Sequence, residues 1–305
     1  MSFVQPAATA VELEVDRRTM RRRPARSVDR VPWWLWVIGW IAGLYLVLPT
    51  LVVIPMSFST SSTFAFPPVG FTWKLYKNFF TTHGWLDALG NSLLVGVLTA
   101  VVATVLGTAA AVALNSLRGR FAGLVRTLLM IPLVAPSIVI ATAVYITFLT
   151  WHLTGSLQGF VLAHSAISLP FVLVSVTAAL SGFDPLLLRA SASLGASPGR
   201  TFLRVTAPLI SRGIATGAIF AFVTSFDEVV IAVFLHSPTF QTLPVQMYNS
   251  VTSEIDPTIS AASSLITVAV ALVFLTPLIF RRKKKGDRAA AASTATEALA
   301  LTTPA

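Results

Sequence analysis

Long stretches without a charged residue constrain the fold of this chain more than any other feature. Only 11% of the 305 residues are charged, about half of the share found in soluble globular domains, so a soluble domain of this length would lack polar surface. The stretches between the grouped charges are long enough for helices that cross a bilayer, each of which needs about 20 apolar residues. The sequence therefore predicts an all-α, polytopic membrane protein.

Six transmembrane helices are predicted from these stretches. The spans are residues 33–58, 93–114, two helices between residues 126 and 184 that the polar segment 151–156 divides, 214–235, and 259–280. An even number of spans puts both termini on one side of the membrane. Residues 33–280 then form the transmembrane domain, and we expect the tails, residues 1–32 and 281–305, to be cytoplasmic and disordered.

Basic residues predict the orientation of the spans, because Lys and Arg in short loops stay on the cytoplasmic side during insertion. Of the 22 basic residues, 20 lie in the two tails, in the loop between the second and third spans, or in the loop between the fourth and fifth. We therefore expect both termini and Gly195 to be cytoplasmic, with Lys74 and Met247 outside. Topology explains the net charge of +10, and we predict no binding to nucleic acid.

The sequence also lacks the residues that several kinds of chemistry require. It contains no cysteine, which excludes disulfides, thiolate metal sites and thiol catalysis. It contains no Gly-Lys dipeptide, so it encodes no phosphate-binding P-loop. The histidines, His83, His152, His164 and His236, are widely separated, and we interpret them as lone polar residues at predicted helix ends. We expect no catalytic residue, metal site or cofactor in this chain.

The cytoplasmic loop of residues 182–212 carries start and stop signals for two short helices. Asp184, which precedes a proline, is typical of a helix start, and Gly195 is typical of a helix end. A Ser-Pro pair at residues 197–198 starts a second helix, which we expect to end near Pro208. The composition of this hairpin fits docking on a partner protein and contact with lipid headgroups equally well.

Two adjacent acids, Asp227 and Glu228, interrupt the fifth span. They lie about 20 Å along it from Gly213, at a depth where ionisable groups usually face the bundle interior or an aqueous path. We predict a translocation pathway formed from Asp227, Glu228, Ser225 and Phe226. Helix neighbours point about 100° apart, so one acid would contact the path and the other a neighbouring helix or a partner chain. Two alternatives stay open, a structural pair that caps backbone groups and an ion-coupled secondary transporter that uses either acid.

Prolines inside the predicted spans allow two interpretations. Pro132 and Pro136 lie in the third span, and Pro170 lies in the fourth. Each removes a backbone hydrogen bond and can kink its helix, which suits spans that move but is also common in static membrane helices. No GxxxG motif indicates pairing with a partner chain, so the sequence does not tell whether such a partner is a second copy or a related chain.

The loop hairpin carries a motif that is known from one family of transporters. Arg189-Ala190-Ser191, followed at the appropriate spacing by Gly195 and Pro208, resembles the EAA motif of ABC importer permeases. Arg189 stands where that family usually has glutamate, and Ser191 replaces an alanine.

Further matches resemble one branch of the same family, the spermidine/putrescine permeases. They lie at residues 224–232, 242–247, 131–136 and 168–171, so the resemblance covers roughly residues 33–280. It implies a type I ABC importer permease fold in the bacterial inner (plasma) membrane. It also implies transport of a small organic solute, with a polyamine such as spermidine or putrescine as the expected substrate.

The resemblance further implies the partners of this chain. They are a dimer of ATP-binding subunits that carries the ATP and Mg, a second permease that is related but different, and an extracytoplasmic solute-binding protein. The first helix of the loop would be the coupling helix, which docks on the ATPase. The residues implied for this coupling are Leu188, Arg189, Ala190, Ser191, Gly195 and Pro208.

Overall fold

The computed structural model describes residues 32–61, 63, 66–117, 119–253 and 255–272, and these residues form helices without a β-strand. In chain order the helices are α1 Trp33–Met56, α2 Lys74–Thr81, α3 Trp85–Ser116, α4 Arg120–Val134, α5 Ser137–Thr150, α6 Leu157–Ser181, α7 Leu186–Ser193, α8 Pro198–Leu209, α9 Ser211–Phe226, α10 Val230–Leu235, α11 Leu243–Thr252 and α12 Thr258–Leu272. The predicted all-α fold is confirmed. Of the two predicted tails, only residue 32 lies within the described residues.

Three of these helices, α1, α3 and α6, are each long and apolar enough to cross a membrane. Two pairs of helices are candidate spans if each pair counts as one broken span. The pair α4 and α5 is bent by 103°, and the pair α8 and α9 is bent by 78°. The described residues thus contain up to five candidate spans. The predicted sixth span, residues 259–280, extends beyond the end of α12 and out of the described region, so the count of six stays a prediction.

Helix α1 belongs largely to a unit of its own, residues 1–52, and the other helices lie in the unit of residues 53–305. Its 24 residues give a length of about 36 Å, which exceeds the hydrocarbon thickness of a bilayer. Its sequence contains no charged residue. A helix that is apolar around its whole circumference is typical of a membrane span.

The core of the second unit is formed by α3, α6 and α9, which pack against one another. Glycines allow this close approach. A Cβ atom built on Gly107 of α3 would lie 2.7 Å from the Cβ of Val172 in α6, and one built on Gly217 of α9 would lie 3.1 Å from the Val172 Cα. Val172 is therefore enclosed between two glycines and is fully buried.

A stripe of small residues on α9 makes the contact with α6. Gly213, Gly217, Ala221 and Ser225 are each four residues apart, so they share one face of the helix. Gly213 and Gly217 form a GxxxG pair, and both approach α6 closely. This pair serves packing within the chain, so the expectation about pairing with a partner chain stays a prediction.

Only one of the three prolines coincides with a helix break. The third predicted span is divided between α4 and α5 at Ala135, which is extended with ψ 140°, because the residue before a proline is disfavoured in the helical region. Pro136 then precedes α5. Pro132 lies inside α4, and Pro170 inside α6, without ending either helix.

Candidate functional site

The two acids of the fifth span lie in a gap between helices. Helix α9 ends at Phe226, and α10 begins at Val230. The prediction of one helix through this segment is therefore wrong. The Glu228 side chain supplies the physical reason, because its Oε1 accepts a hydrogen bond from the Ile231 N–H at 2.9 Å and so caps a helix start.

Asp227 and Glu228 have different surroundings. Glu228 is half-buried and is engaged in its cap, whereas Asp227 is exposed on this chain. The backbone N–H of Asp227 donates to the Val223 carbonyl at 3.0 Å, which makes Asp227 the C-terminal cap of α9. Within the part of the chain that the structure describes, the Asp227 carboxylate accepts no hydrogen bond. It is thus the acid that is available to another molecule.

The other two predicted pathway residues, Ser225 and Phe226, point toward protein. Ser225 is only 4% exposed, and its Oγ is joined to His164 Nδ1 by a hydrogen bond of 2.9 Å. Phe226 is half-buried and stacks on Phe222 with 5.7 Å between the ring centroids. Neither side chain is freely exposed beside Asp227.

His164 was not expected in this position. It lies inside α6 and is fully buried, so its interpretation as a lone polar residue at a helix end is wrong. His83, His152 and His236 do lie outside helices, as predicted. Within the described ranges, no group of three or more His, Asp or Glu side chains is arranged to hold a metal ion.

The loop hairpin has the predicted form. Asp184 Oδ1 accepts a hydrogen bond from the Leu186 N–H at 2.9 Å and caps the start of α7. Gly195 follows the end of that helix with φ +76°. Its N–H donates to the Ala192 carbonyl, and the Ala196 N–H donates to the Ser191 carbonyl, which is the bonding pattern of a Schellman C-cap.

The residues expected to couple this hairpin to an ATPase divide into internal and exposed groups. Ser191 is internal, because its Oγ is joined to Thr201 Oγ1 of α8 at 2.7 Å. The other five expected coupling residues, Leu188, Arg189, Ala190, Gly195 and Pro208, are exposed. A cavity of ≈ 300 Å³ separates the hairpin from the ends of α3 and α6, and its lining includes Asn115, Phe183, Leu188, Ala192, Phe202 and Thr206.

Comparison with known proteins identifies the class of this chain. Residues 103–285 match the family described as "Binding-protein-dependent transport system inner membrane component". The chain belongs to that family. It is therefore an ABC importer permease subunit, a multi-pass component of the inner membrane rather than an enzyme.

Two relatives of this permease, both from Escherichia coli K12, are polyamine permeases. The spermidine/putrescine transport system permease protein PotC is 32% identical over 244 residues, which are 80% of this chain and 92% of PotC. The putrescine transport system permease protein PotI is 31% identical over 267 residues, which are 85% of this chain and 94% of PotI. The predicted resemblance to the spermidine/putrescine branch is confirmed.

Solved structures share the fold of the permease. A bacterial ABC transporter that imports the acidic polysaccharide alginate has a chain that matches with a TM-score of 0.65 and 16% identity, over 82% of this permease and 96% of that chain. A bacterial alginate ABC transporter in complex with an alginate pentasaccharide-bound periplasmic protein matches with a TM-score of 0.62 and 16% identity, over 79% of this permease and 91% of that chain. The predicted importer-type fold is confirmed.

The permease also contains residues that the sequence interpretation missed. His164 and Ser168 lie four residues apart on α6, opposite the small-residue stripe of α9. The signal was present, because a histidine and a serine at helical spacing inside an apolar span indicate a polar contact between helices.

Proposed function

We propose that this permease imports a small cationic solute, most simply a polyamine such as spermidine or putrescine, with energy from a separate ATPase. The Asp227 carboxylate carries the proposal, since it lies at a helix break at membrane depth without a hydrogen-bonding partner on the described part of this chain. A carboxylate there attracts cations, and intramembrane acids usually mark a transport path. The similarity to PotC and PotI supports this substrate class.

The proposal includes three kinds of partner. A dimer of ATP-binding subunits would carry ATP and Mg, a second and related permease would complete the path, and an extracytoplasmic binding protein would deliver the solute. The exposed side of α7 supports the first of these. Leu186, Leu187 and Leu188 are each at least 41% exposed beside Arg189, and an apolar centre with a charged rim suits a protein interface.

Within this assembly, residues 182–212 are the coupling loop of a permease domain at residues 33–280. Coupling to the ATPase is assigned to Leu188, Arg189, Ala190, Ser191, Gly195 and Pro208. Ser191 would act by holding α7 on α8 through its 2.7 Å hydrogen bond to Thr201. The exposed members would contact the partner.

The proposed topology gives the first prediction. Single cysteines introduced at Gly195, Lys74 and Met247 are matched reporters, because the parent chain contains no cysteine. In intact cells an impermeant thiol reagent should label the cysteines at 74 and 247, and it should label that at 195 only after the cells are opened. Labelling at 195 from outside would reverse the proposed orientation.

The two acids give the second prediction. Asp227→Asn should lower import of radiolabelled spermidine and putrescine by about tenfold, the size expected for one lost charge-assisted contact. Glu228→Gln keeps an oxygen that accepts from the Ile231 N–H, so import should stay within about twofold. Uptake is measured in proteoliposomes that hold the complete transporter, and subunit yield is compared on gels.

A third variant of the acids tests the cap itself. Glu228→Leu removes the acceptor of the Ile231 N–H and should reduce subunit yield, because a lost helix cap costs about 1 kcal/mol.

If Asp227→Asn imports normally, Asp227 is not in the path. Uptake that stops when proton and sodium gradients are collapsed, although ATP is present, would replace the ATP-driven importer with an ion-coupled transporter.

A further inference from the structure

Helices α6 and α9 are held together by an ordered series of contacts. From one end, Gly213 lies against Ala179 and Ser175, and Gly217 lies against Val172. One turn further, the Ser168 Oγ donates to the Ala221 carbonyl at 3.3 Å. The series ends with the 2.9 Å hydrogen bond between His164 and Ser225.

The last contact of this series lies at the helix break. Ser225 is followed by Phe226, the final residue of α9, and then by Asp227. Beyond the break, Ile231, Ala232 and Leu235 of α10 pack in one cluster with Phe160, Ala163 and Ile167 of α6. These α6 residues flank His164 in sequence. The segment of α6 around His164 therefore contacts the chain on both sides of the break.

Packing alone does not explain why a histidine is buried at position 164. His164 is 0% exposed, and its Nε2 atom has no hydrogen-bonding partner among the described residues. Burial of a polar group without a partner is unfavourable, so an apolar side chain would serve simple packing better. The arrangement favours a role that depends on the bond to Ser225.

We propose that His164 and Ser225 are positioning residues, which fix the end of α9 on α6 and thereby hold Asp227 where a transported cation meets it. The inference rests on the proposed function for its consequence in transport. Its structural part is that the break between α9 and α10 is held fixed on α6, and this can be tested separately.

The structural test uses a reporter cysteine in the break. Val229→Cys places a half-buried thiol between the two helix ends, in a chain without other cysteines. The assembled transporter in lipid nanodiscs is treated with N-ethylmaleimide, and the rate of modification is measured. Ser225→Ala should raise that rate about fivefold, which corresponds to the loss of a hydrogen bond worth about 1 kcal/mol.

Ser168→Ala is the matched control. It also removes one hydroxyl hydrogen bond between α6 and α9, but one turn away from the end of the helix. The modification rate of the cysteine at 229 should then change by less than about twofold. Equal rates in the two alanine variants, whether raised or unchanged, would overturn the positioning role.

Variants of the histidine provide a second line of evidence. The amide of His164→Asn lies near the position of Nδ1 and can still bond to Ser225, so the modification rate of the cysteine at 229 should stay slow. His164→Leu cannot form this bond, so the rate should rise. If the His164→Leu variant fails to assemble, comparing the modification rate of the His164→Asn variant with that of the parent still tests the bond to Ser225. Fast modification in the asparagine variant, with an unchanged melting temperature, would contradict the proposed bond.

The transport readout separates this inference from the proposed function. In proteoliposomes, Ser225→Ala should lower the amount of spermidine or putrescine imported per ATP hydrolysed, and Ser168→Ala should not. If the parent transporter imports neither polyamine, the proposed substrate is wrong, but the thiol result still tests the fixed break. If thiol rates separate as expected and import per ATP is unchanged, the positioning role in transport is rejected.

Discussion

Gly213→Val is expected to prevent the native packing of the permease. A Cβ atom at this position would lie 2.4 Å from the Ala179 Cβ and 3.0 Å from the Ser175 carbonyl oxygen. The carbonyl belongs to the backbone of α6 and cannot rotate away, so the helices must separate. Overpacking of this kind costs about 3 kcal/mol, and valine adds two methyl groups. We expect little monodisperse protein after purification and a clearly lowered melting temperature.

Gly90→Val is the control for this substitution. Gly90 lies in α3, and a Cβ atom there would have no neighbour within 4 Å. The same change in volume should therefore leave yield and melting temperature close to those of the parent. A Gly213→Val permease that melts at the parental temperature would show that α6 and α9 do not meet as described.

Gly195→Val is expected to uncouple transport from ATP hydrolysis. Gly195 has φ +76°, a left-handed conformation that costs a residue with a side chain about 1–2 kcal/mol, more for a β-branched one. No atom lies within 4 Å of the position that its Cβ would occupy, so the effect comes from the backbone alone. We expect import to fall about tenfold, while membrane insertion and subunit yield remain normal.

Gly199→Val, in the same loop hairpin, is the control for Gly195→Val. Gly199 lies in the first turn of α8 and also has open space around it, but it does not have a positive φ. Its substitution should therefore leave the Schellman cap intact and import close to normal. Import is measured in proteoliposomes together with ATP hydrolysis. Normal import by the Gly195→Val variant would remove the coupling role from this turn.

The hairpin could be predicted from the sequence because its signals are local. Asp184 bonds to an N–H two residues away, and Gly195 ends its helix through contacts within four residues. Caps of this kind depend little on the rest of the fold. The start and end of α7 were thus recognisable without knowledge of what it packs against.

The helix break could not be predicted in the same way. Residues 214–235 are apolar apart from two acids, and hydrophobicity favours one continuous span. Whether Glu228 extends from a helix or caps the next one depends on the tertiary packing of α10 on α5 and α6. The pairing of His164 with Ser225 joins residues 61 positions apart, so a local pattern can indicate that His164 contacts another helix but not which residue it contacts.

The two glycines that enclose Val172 limit how the permease can change shape. Where backbones approach this closely, no long side chain lies between the helices to adjust its rotamer, so sliding would require the helices to separate. Helices α3, α6 and α9 should therefore move as a rigid body during a transport cycle. Motion is left to the bends at Ala135 and at Ile210, where helices already end. Because the His164–Ser225 bond fixes the end of α9 on α6, the acid proposed to meet the solute would travel with this rigid body whenever the permease opens or closes.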